Sequence, residues 1–166
     1  TRPAGAIFDC FDQQKHTVKR FNVPRNWLRV LGIDFGPLNC AYVKIAIDPK
    51  TLDHQDGPIG YVYRTYHKGG VATKHHTEHA LREEPRVPLA VGGNQTNEDG
   101  WRNDFSHYGL KIRKPKVCEV TAGIQAVYSM FATNRLFVFD DLEKLIEELN
   151  QYSYELDDEA NAIQDK

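Results

Sequence analysis

The sequence predicts an α/β protein: a mixed sheet of three antiparallel strands followed by alternating helices and strands, with helices on both faces. Three observations carry that prediction. Segments 29–35, 40–47 and 59–67 are apolar or alternating, and they follow one another across short turns, as in an antiparallel meander. From residue 71 onward the pattern changes to helix-length amphipathic segments interleaved with short apolar ones. Gly69-Gly70, Gly92-Gly93 and Gly109 fall at the changeovers, where glycine ends elements. Strands that meander and then alternate with helices build a mixed sheet covered on both sides.

Taken in order, residues 1–28 form a lead-in with Phe8, Phe11, Phe21, Val23 and Trp27 scattered among charges, packing on the edge of the domain. A short strand over 18–24 would stop at Pro24. The main domain spans 29–156. Its first strand, 29–35, turns through Pro37-Leu38-Asn39 into the second, 40–47. The third, 59–67, alternates Tyr61, Tyr63 and Thr65 with Val62, Arg64 and Tyr66. A helix over 71–84 turns Thr77, Ala80 and Leu81 inward, and a short buried strand follows at 87–91. Asn97 caps a helix over 98–108 whose apolar face is Trp101, Phe105 and Tyr108, with Gly109 as its C-cap. A brief strand at 110–113 leads to the clearest amphipathic helix, 120–133, with Ile124, Val127, Tyr128 and Phe131 on one stripe. A strand at 136–139 is followed by a helix over 142–149 capped by Asp140-Asp141, then by a strand-like piece at 152–156. Residues 157–166 are polar, without apolar periodicity, and read as a flexible tail.

The bulk properties narrow the function. A chain of 166 residues with 40% hydrophobic content can bury a core of its own. The net charge of −2 excludes a binder that works by a global basic field, but leaves room for an enzyme that grips phosphates through a local patch or a metal. The three cysteines are far apart and form no C-x-x-C pair, which argues against a disulfide framework or a structural zinc and fits a reducing cytosol. No apolar run approaches the roughly 18 residues of a membrane span. The chain opens at Thr1 without a methionine, as a fragment of something larger would.

The chemistry centres on Leu31-Gly32-Ile33-Asp34-Phe35-Gly36, an apolar strand carrying one carboxylate. A charge inside a buried strand costs several kcal/mol, as a rough figure, unless it is paired or holds a metal; an Asp at a strand end can also simply cap a turn. The order of elements behind Asp34 is the layout of the ribonuclease H-like fold. More narrowly, Gly32-Ile33-Asp34-Phe35-Gly36, Val91-Gly92-Gly93, Glu98-Asp99-Gly100-Trp101-Arg102, Val120-Thr121-Ala122-Gly123-Ile124, Arg135-Leu136-Phe137-Val138-Phe139 and Tyr152-Ser153 resemble, in order and spacing over 29–166, the C-terminal nuclease domain of phage large terminases.

That resemblance implies a metal-dependent endonuclease that cuts concatemeric viral DNA during genome packaging in the cytoplasm of an infected bacterial host. Its substrate would be double-stranded DNA. Its partners would be an N-terminal packaging ATPase within the full protein, the portal and the small terminase subunit. No Gly-x-x-x-x-Gly-Lys phosphate loop occurs, so the ATPase would lie before Thr1. Three acids from separate elements would hold two Mg²⁺ or Mn²⁺ ions about 4 Å apart, one serving the attacking water and one the leaving oxygen. Hard cations take oxygen ligands, hence carboxylates.

Asp34 matches the first acid position. At the second the chain departs from the family, because Gly92 and Gly93 stand where an acid ends the strand. Glu98 and Asp99, in the first turn of the next helix, are the nearest replacements, although acids are favoured there by the helix dipole alone. The resemblance puts the third acid on a helix after the last strand, in a motif like His-x-x-Asp-Ala that residues 1–166 do not show; Asp157, Asp158 and Asp165 read as solvated loop charges. Lys111, Arg113, Lys114 and Lys116 form the densest basic cluster, either a DNA contact or a solvated strand edge, with Arg102 and Arg135 as weaker candidates of the same kind. His75, His76 and His79 read as surface helix residues rather than metal ligands. The gaps in the acid set leave two other readings open: a non-cleaving DNA-binding or docking module of the same fold, and a resolvase-type nuclease.

Overall fold

A computed structural model describes residues 5–36, 38–93, 98–116, 120–152, 155–156 and 162–163. The lead-in contains a short helix, α1 (Gln13–His16), and a two-residue strand, β1 (Thr17–Val18). Three long strands follow: β2 (Leu28–Asp34), β3 (Asn39–Ile47) and β4 (Gly60–Gly69), paired antiparallel in sequence. Next come α2 (Thr73–Leu81), β5 (Leu89–Gly92), α3 (Asp99–His107), β6 (Ile112–Arg113), α4 (Val120–Ala132), β7 (Leu136–Phe139) and α5 (Glu143–Gln151). The sheet runs β1-β7-β4-β3-β2-β5-β6, with β5 parallel to β2, β6 parallel to β5 and β7 parallel to β4. This is the mixed sheet that the pattern predicts, and the meander forms its centre.

Period-two geometry divides the core. On one face Leu31, Ile33 and Phe35 join Tyr42, Ala80, Ala90 and Phe105 beneath α2 and α3. On the other, Val62, Leu136 and Val138 pack with Phe131 of α4 and Ile146 of α5, and Phe8 and Phe11 of the lead-in close that cluster. The alternation predicted for 59–67 breaks at a bulge: Lys44 pairs with Arg64 but Ile45 with Val62, leaving Tyr63 as the extra residue. Adjacent Val62 and Tyr63 are consequently both buried.

The departures from expectation have local causes. The strand at 87–91 is not buried throughout: Val87 is 55% and Leu89 38% exposed, because α2 and α3 cover the Ala90 side. Tyr108 falls at the C-cap of α3, off the helical stripe, and stays exposed. Gly109 follows with φ +100°, the conformation that glycine supplies at a helix end. Asp141 does not cap α5; both its oxygens accept from Arg20, at 2.6 and 2.8 Å. His76 is buried rather than on the surface, its Nδ1 2.6 Å from Tyr66 Oη, and His79 pairs with the hydroxyl of Tyr42. These tyrosines satisfy the ring nitrogens that burial takes from water. In the stretch 157–166, Ala162–Ile163 (β9) pairs antiparallel with Glu155–Leu156 (β8). Pro37, the cap Asn97 and the acids Asp157, Asp158 and Asp165 lie outside the described residues.

Beneath α2 lies a charged cluster with no sequence signature. Lys44, on the central strand, is fully buried and donates from Nζ to Ala80 O at 2.6 Å and to Glu84 Oε1 at 3.0 Å. The other oxygen of Glu84 takes Arg29 at 3.3 Å, and Tyr63 Oη donates to Oε1 at 2.9 Å. Burial pulls the Lys44 ammonium below its ordinary range, and its hydrogen bond to Glu84 opposes that.

Candidate active site

Asp34 is the last residue of β2 and lies on the strand face opposite Leu31 and Ile33, so it is exposed rather than buried in mid-strand. The cost of a buried charge therefore does not arise; the question is what its neighbours supply. Asp34 pairs with Ala41 of β3, and the preceding Ile33 pairs with Gly92 of β5. Because β2, β5 and β6 run parallel, their C-terminal ends share one edge of the sheet, the edge where open α/β sheets present ligand sites. A groove of about 460 Å³ opens there, lined by Gly32, Asp34, Ala41, Gly92, Gly93 and Pro115 among others. Small residues at 32, 41, 92 and 93 keep it open, and Asp34 is the carboxylate among its lining residues. The Asp34 charge also adds to burial in raising the neighbouring Cys40 thiol to about 11, which leaves that cysteine a neutral core group.

Geometry explains the two glycines that replace the expected acid. A Cβ at Gly92 would run into the carbonyl and side chain of Ile33 on the paired strand. Gly93 has φ +66°, and a Cβ there would lie 2.5 Å from Arg102 Nη2, 2.6 Å from Glu98 Oε2 and 2.8 Å from the ring of Phe35. The space that a strand-end side chain would take is thus already occupied by Glu98 and Arg102, which reach back from α3 and the turn before it. Asp99 turns elsewhere, to Arg102 Nη1 at 2.9 Å and Lys114 Nζ at 3.6 Å.

Arg102 is not an exposed phosphate contact. Its side chain is 8% exposed, and Nε and Nη2 both donate to Gly92 O, at 3.1 and 2.8 Å. Lys111, Arg113, Lys114 and Lys116 are all exposed, on the edge strand β6 and to either side of it, with Arg113 in register with Val91 of β5 and Pro115 lining the groove. Arg135 precedes β7 and so lies at the opposite end of the parallel strands, where Nε donates to Thr133 Oγ1 at 2.8 Å.

Among the described residues no three His, Cys, Asp or Glu side chains gather as a metal cluster. Two groups fit a hard divalent cation in kind: the exposed carboxylate of Asp34, and that of Glu98 in the seat at Gly93. The inward role of Arg102 is what sequence reasoning missed. Its only sequence trace is the i, i+3 spacing from Asp99, which any surface helix can show.

The strand order and the acid at the end of the first long strand define a ribonuclease H-like fold. The fold is similar to that of solved large-terminase nuclease domains. The nuclease domain of the phage P22 large terminase superposes with a TM-score of 0.72 at 16% identity, over 99% of this chain and 87% of that one. A large terminase from a thermophilic bacteriophage aligns with a TM-score of 0.70 at 18% identity, over 91% of this chain but only 38% of that one. The nuclease domain of the SPP1 large terminase, solved with bound Mn, gives 0.62 at 13% identity over 82% of this chain and 75% of that one. No protein-family model matches the chain, and no curated protein is similar to it in sequence.

Proposed function

We propose that this chain is the nuclease domain of a phage large terminase, a divalent-metal-dependent endonuclease that cuts concatemeric viral DNA as genomes are packaged. The observation that carries the reading is the exposed carboxylate of Asp34 beside the side-chain-free end of β5, in a fold shared with terminase nucleases. Asp34 and Glu98 would hold Mg²⁺ or Mn²⁺, in keeping with the Mn bound in the SPP1 domain. Asp99 would act beside them through its link to Arg102 and Lys114. When bound, the cations would supply Lewis acidity and ease deprotonation of a water, so that the resulting hydroxide can attack phosphorus. The chain's own part is to fix the carboxylates at the strand ends, to keep the groove clear with glycines, and to hold the DNA backbone along Lys111, Arg113, Lys114 and Lys116. Residues 29–156 would form the nuclease body with 1–28 packed against it. The packaging ATPase, the portal and the small subunit would be partners in the full protein, working in the cytoplasm of the infected host. Among the described residues no helix is long and apolar enough to cross a membrane.

Asp34→Asn should abolish Mn²⁺-dependent nicking of supercoiled plasmid by this domain; undiminished nicking would remove Asp34 from the mechanism. A second reading, a non-cleaving DNA-binding module of the same fold, draws support from Gly92 and Gly93, which stand where the resemblance expects an acid. Saturable Mn²⁺ binding with nicking favours the nuclease, whereas DNA retention without either favours the module. Cleavage of four-way junctions in preference to linear duplex would mark a resolvase-type enzyme.

A further inference from the structure

We propose that one strand of duplex DNA crosses the sheet at right angles to the β-strands, over Asp34, between Arg113 of β6 and a second phosphate-binding subsite made by His67 of β4 and Lys144 of α5. The proposal rests on the nuclease reading above. Pairing register fixes which side chains share a face of the sheet. Asp34 is paired with Ala41, and Ala41 with His67, so these three form one row. The row two residues below it runs Thr65, Val43, Gly32, Val91 and Arg113, across five neighbouring strands. Residues two apart along a strand point the same way, so both rows lie on one face. Asp34, His67 and Arg113 are exposed on it, whereas the adjacent Ile33 and Ile112 are buried on the other. Lys68 is excluded, because it pairs with Cys40 on that other face. With roughly 4.8 Å between strands, Asp34 lies about 10 Å from His67, and Thr65 about 19 Å from Arg113.

Two grooves make the path continuous. Beside the Asp34 groove lies another of about 390 Å³, lined by Thr65, His67, Lys144, Leu145 and Glu148 among others. The two share Ala41, Tyr42 and Val43 as lining residues. Gly32, Ala41 and Val43 keep the floor low, while α5 walls the far side through Leu145, which packs on the core of that face. Lys144 and His67 are both exposed, and among the described residues neither is held by a hydrogen bond or an ion pair. A trough with a cationic group at each end and a carboxylate between them fits a polyanion, its phosphates gripped at the ends. At about 3.4 Å per nucleotide of one strand, 19 Å corresponds to roughly five or six nucleotides. Glu148 is the opposing charge: it lines the same groove as Lys144, one helical turn away. Its like charge limits affinity there, which makes its replacement informative.

The test is the salt dependence of duplex DNA binding by the 166-residue chain, read by fluorescence anisotropy in EDTA so that nothing is cut. Each phosphate no longer gripped makes the slope of log affinity against log salt shallower by about 0.9. Lys144→Ala and Arg113→Ala should each make it shallower by about one, and the double variant by about two, because one strand meets both residues. The deciding variant is Glu148→Lys. It should tighten binding and steepen the slope by about one, a gain that a folding defect cannot imitate. If Lys144→Ala and Glu148→Lys leave the slope unchanged while Arg113→Ala makes it shallower, the DNA keeps to the β6 end and the path is wrong. Plasmid nicking separates that failure from failure of the nuclease reading. Nicking that is lost in Asp34→Asn, alongside slopes indifferent to α5, leaves the nuclease standing without the path; a chain that neither binds nor nicks duplex DNA takes both down.

Discussion

Single residues in this chain owe their behaviour to which side of the sheet they face. Asp34 and Cys40 lie across one hairpin, yet the first is exposed and the second buried with its thiol raised to about 11. Cys40 should therefore resist alkylation at pH 8 in the folded protein and react once urea unfolds it, as peptide mass mapping would show; rapid labelling of native protein would contradict its burial. Glu84 carries a heavier structural duty. Its side chain, 3% exposed, faces the buried cations Lys44 and Arg29. Removing one member of a buried ionic cluster leaves uncompensated charge, so Glu84→Gln should cost about 3–5 kcal/mol in urea unfolding. A drop below about 1 kcal/mol would mean that the cations find other partners. Nothing in the local sequence marks Lys44 as buried, since an isolated lysine in a strand reads as an outward residue; its partner lies 40 positions away.

At the scale of elements, α2 shows how tertiary contacts reassign a surface. Its histidines follow a helical spacing that fits solvent equally well, and only the tyrosines of β3 and β4 decide that His76 and His79 turn inward. Both rings are held below the ordinary histidine range, by burial first and then by nearby cations: His75 and Lys68 for His76, with Arg82 and Arg64 foremost for His79. Histidine in the unfolded chain titrates near 6.5. Between that pH and the lowered folded values the unfolded chain binds more protons, so stability is full above about pH 6.5 and is lost as pH falls through the folded values. Urea midpoints should accordingly drop between pH 7.5 and 5.5, and a flat profile would show that the tyrosine pairs survive protonation. The helix α3 is anchored by Phe105, which is fully buried between Phe35 and the α2 face. Phe105→Ala should cost about 3–5 kcal/mol and loosen the turn that carries Glu98.

The whole molecule places its chemistry at one edge. Parallel β2, β5 and β6 bring Asp34, Gly93 and the basic run after Arg113 to the same ends of the strands, although these lie far apart in sequence. If the basic residues in and around β6 hold DNA, replacing Lys111, Arg113 and Lys116 with alanine should weaken binding across all sequences. The slope of log affinity against log salt should fall by about one for each phosphate that is no longer gripped. An unchanged slope would return those residues to the role of a solvated strand edge. Arg135, at the far end of the strands, is the internal control: its alanine variant should leave the slope alone.

The sequence by itself determined the order of elements, the meander at the centre of the sheet, and Asp34 as the residue to watch. Those follow from periodicity, glycine punctuation and an acid at the end of an apolar strand, all of which are local properties of the chain. Only the tertiary structure decided that Asp34 is exposed, that Arg102 turns inward, and that Lys44 and His76 are buried. It also decided that position 93 bears no side chain because Glu98 and Arg102 occupy its space. Each of these depends on a partner from another element, and a side chain's burial or charge state is set by what packs against it rather than by its neighbours in sequence.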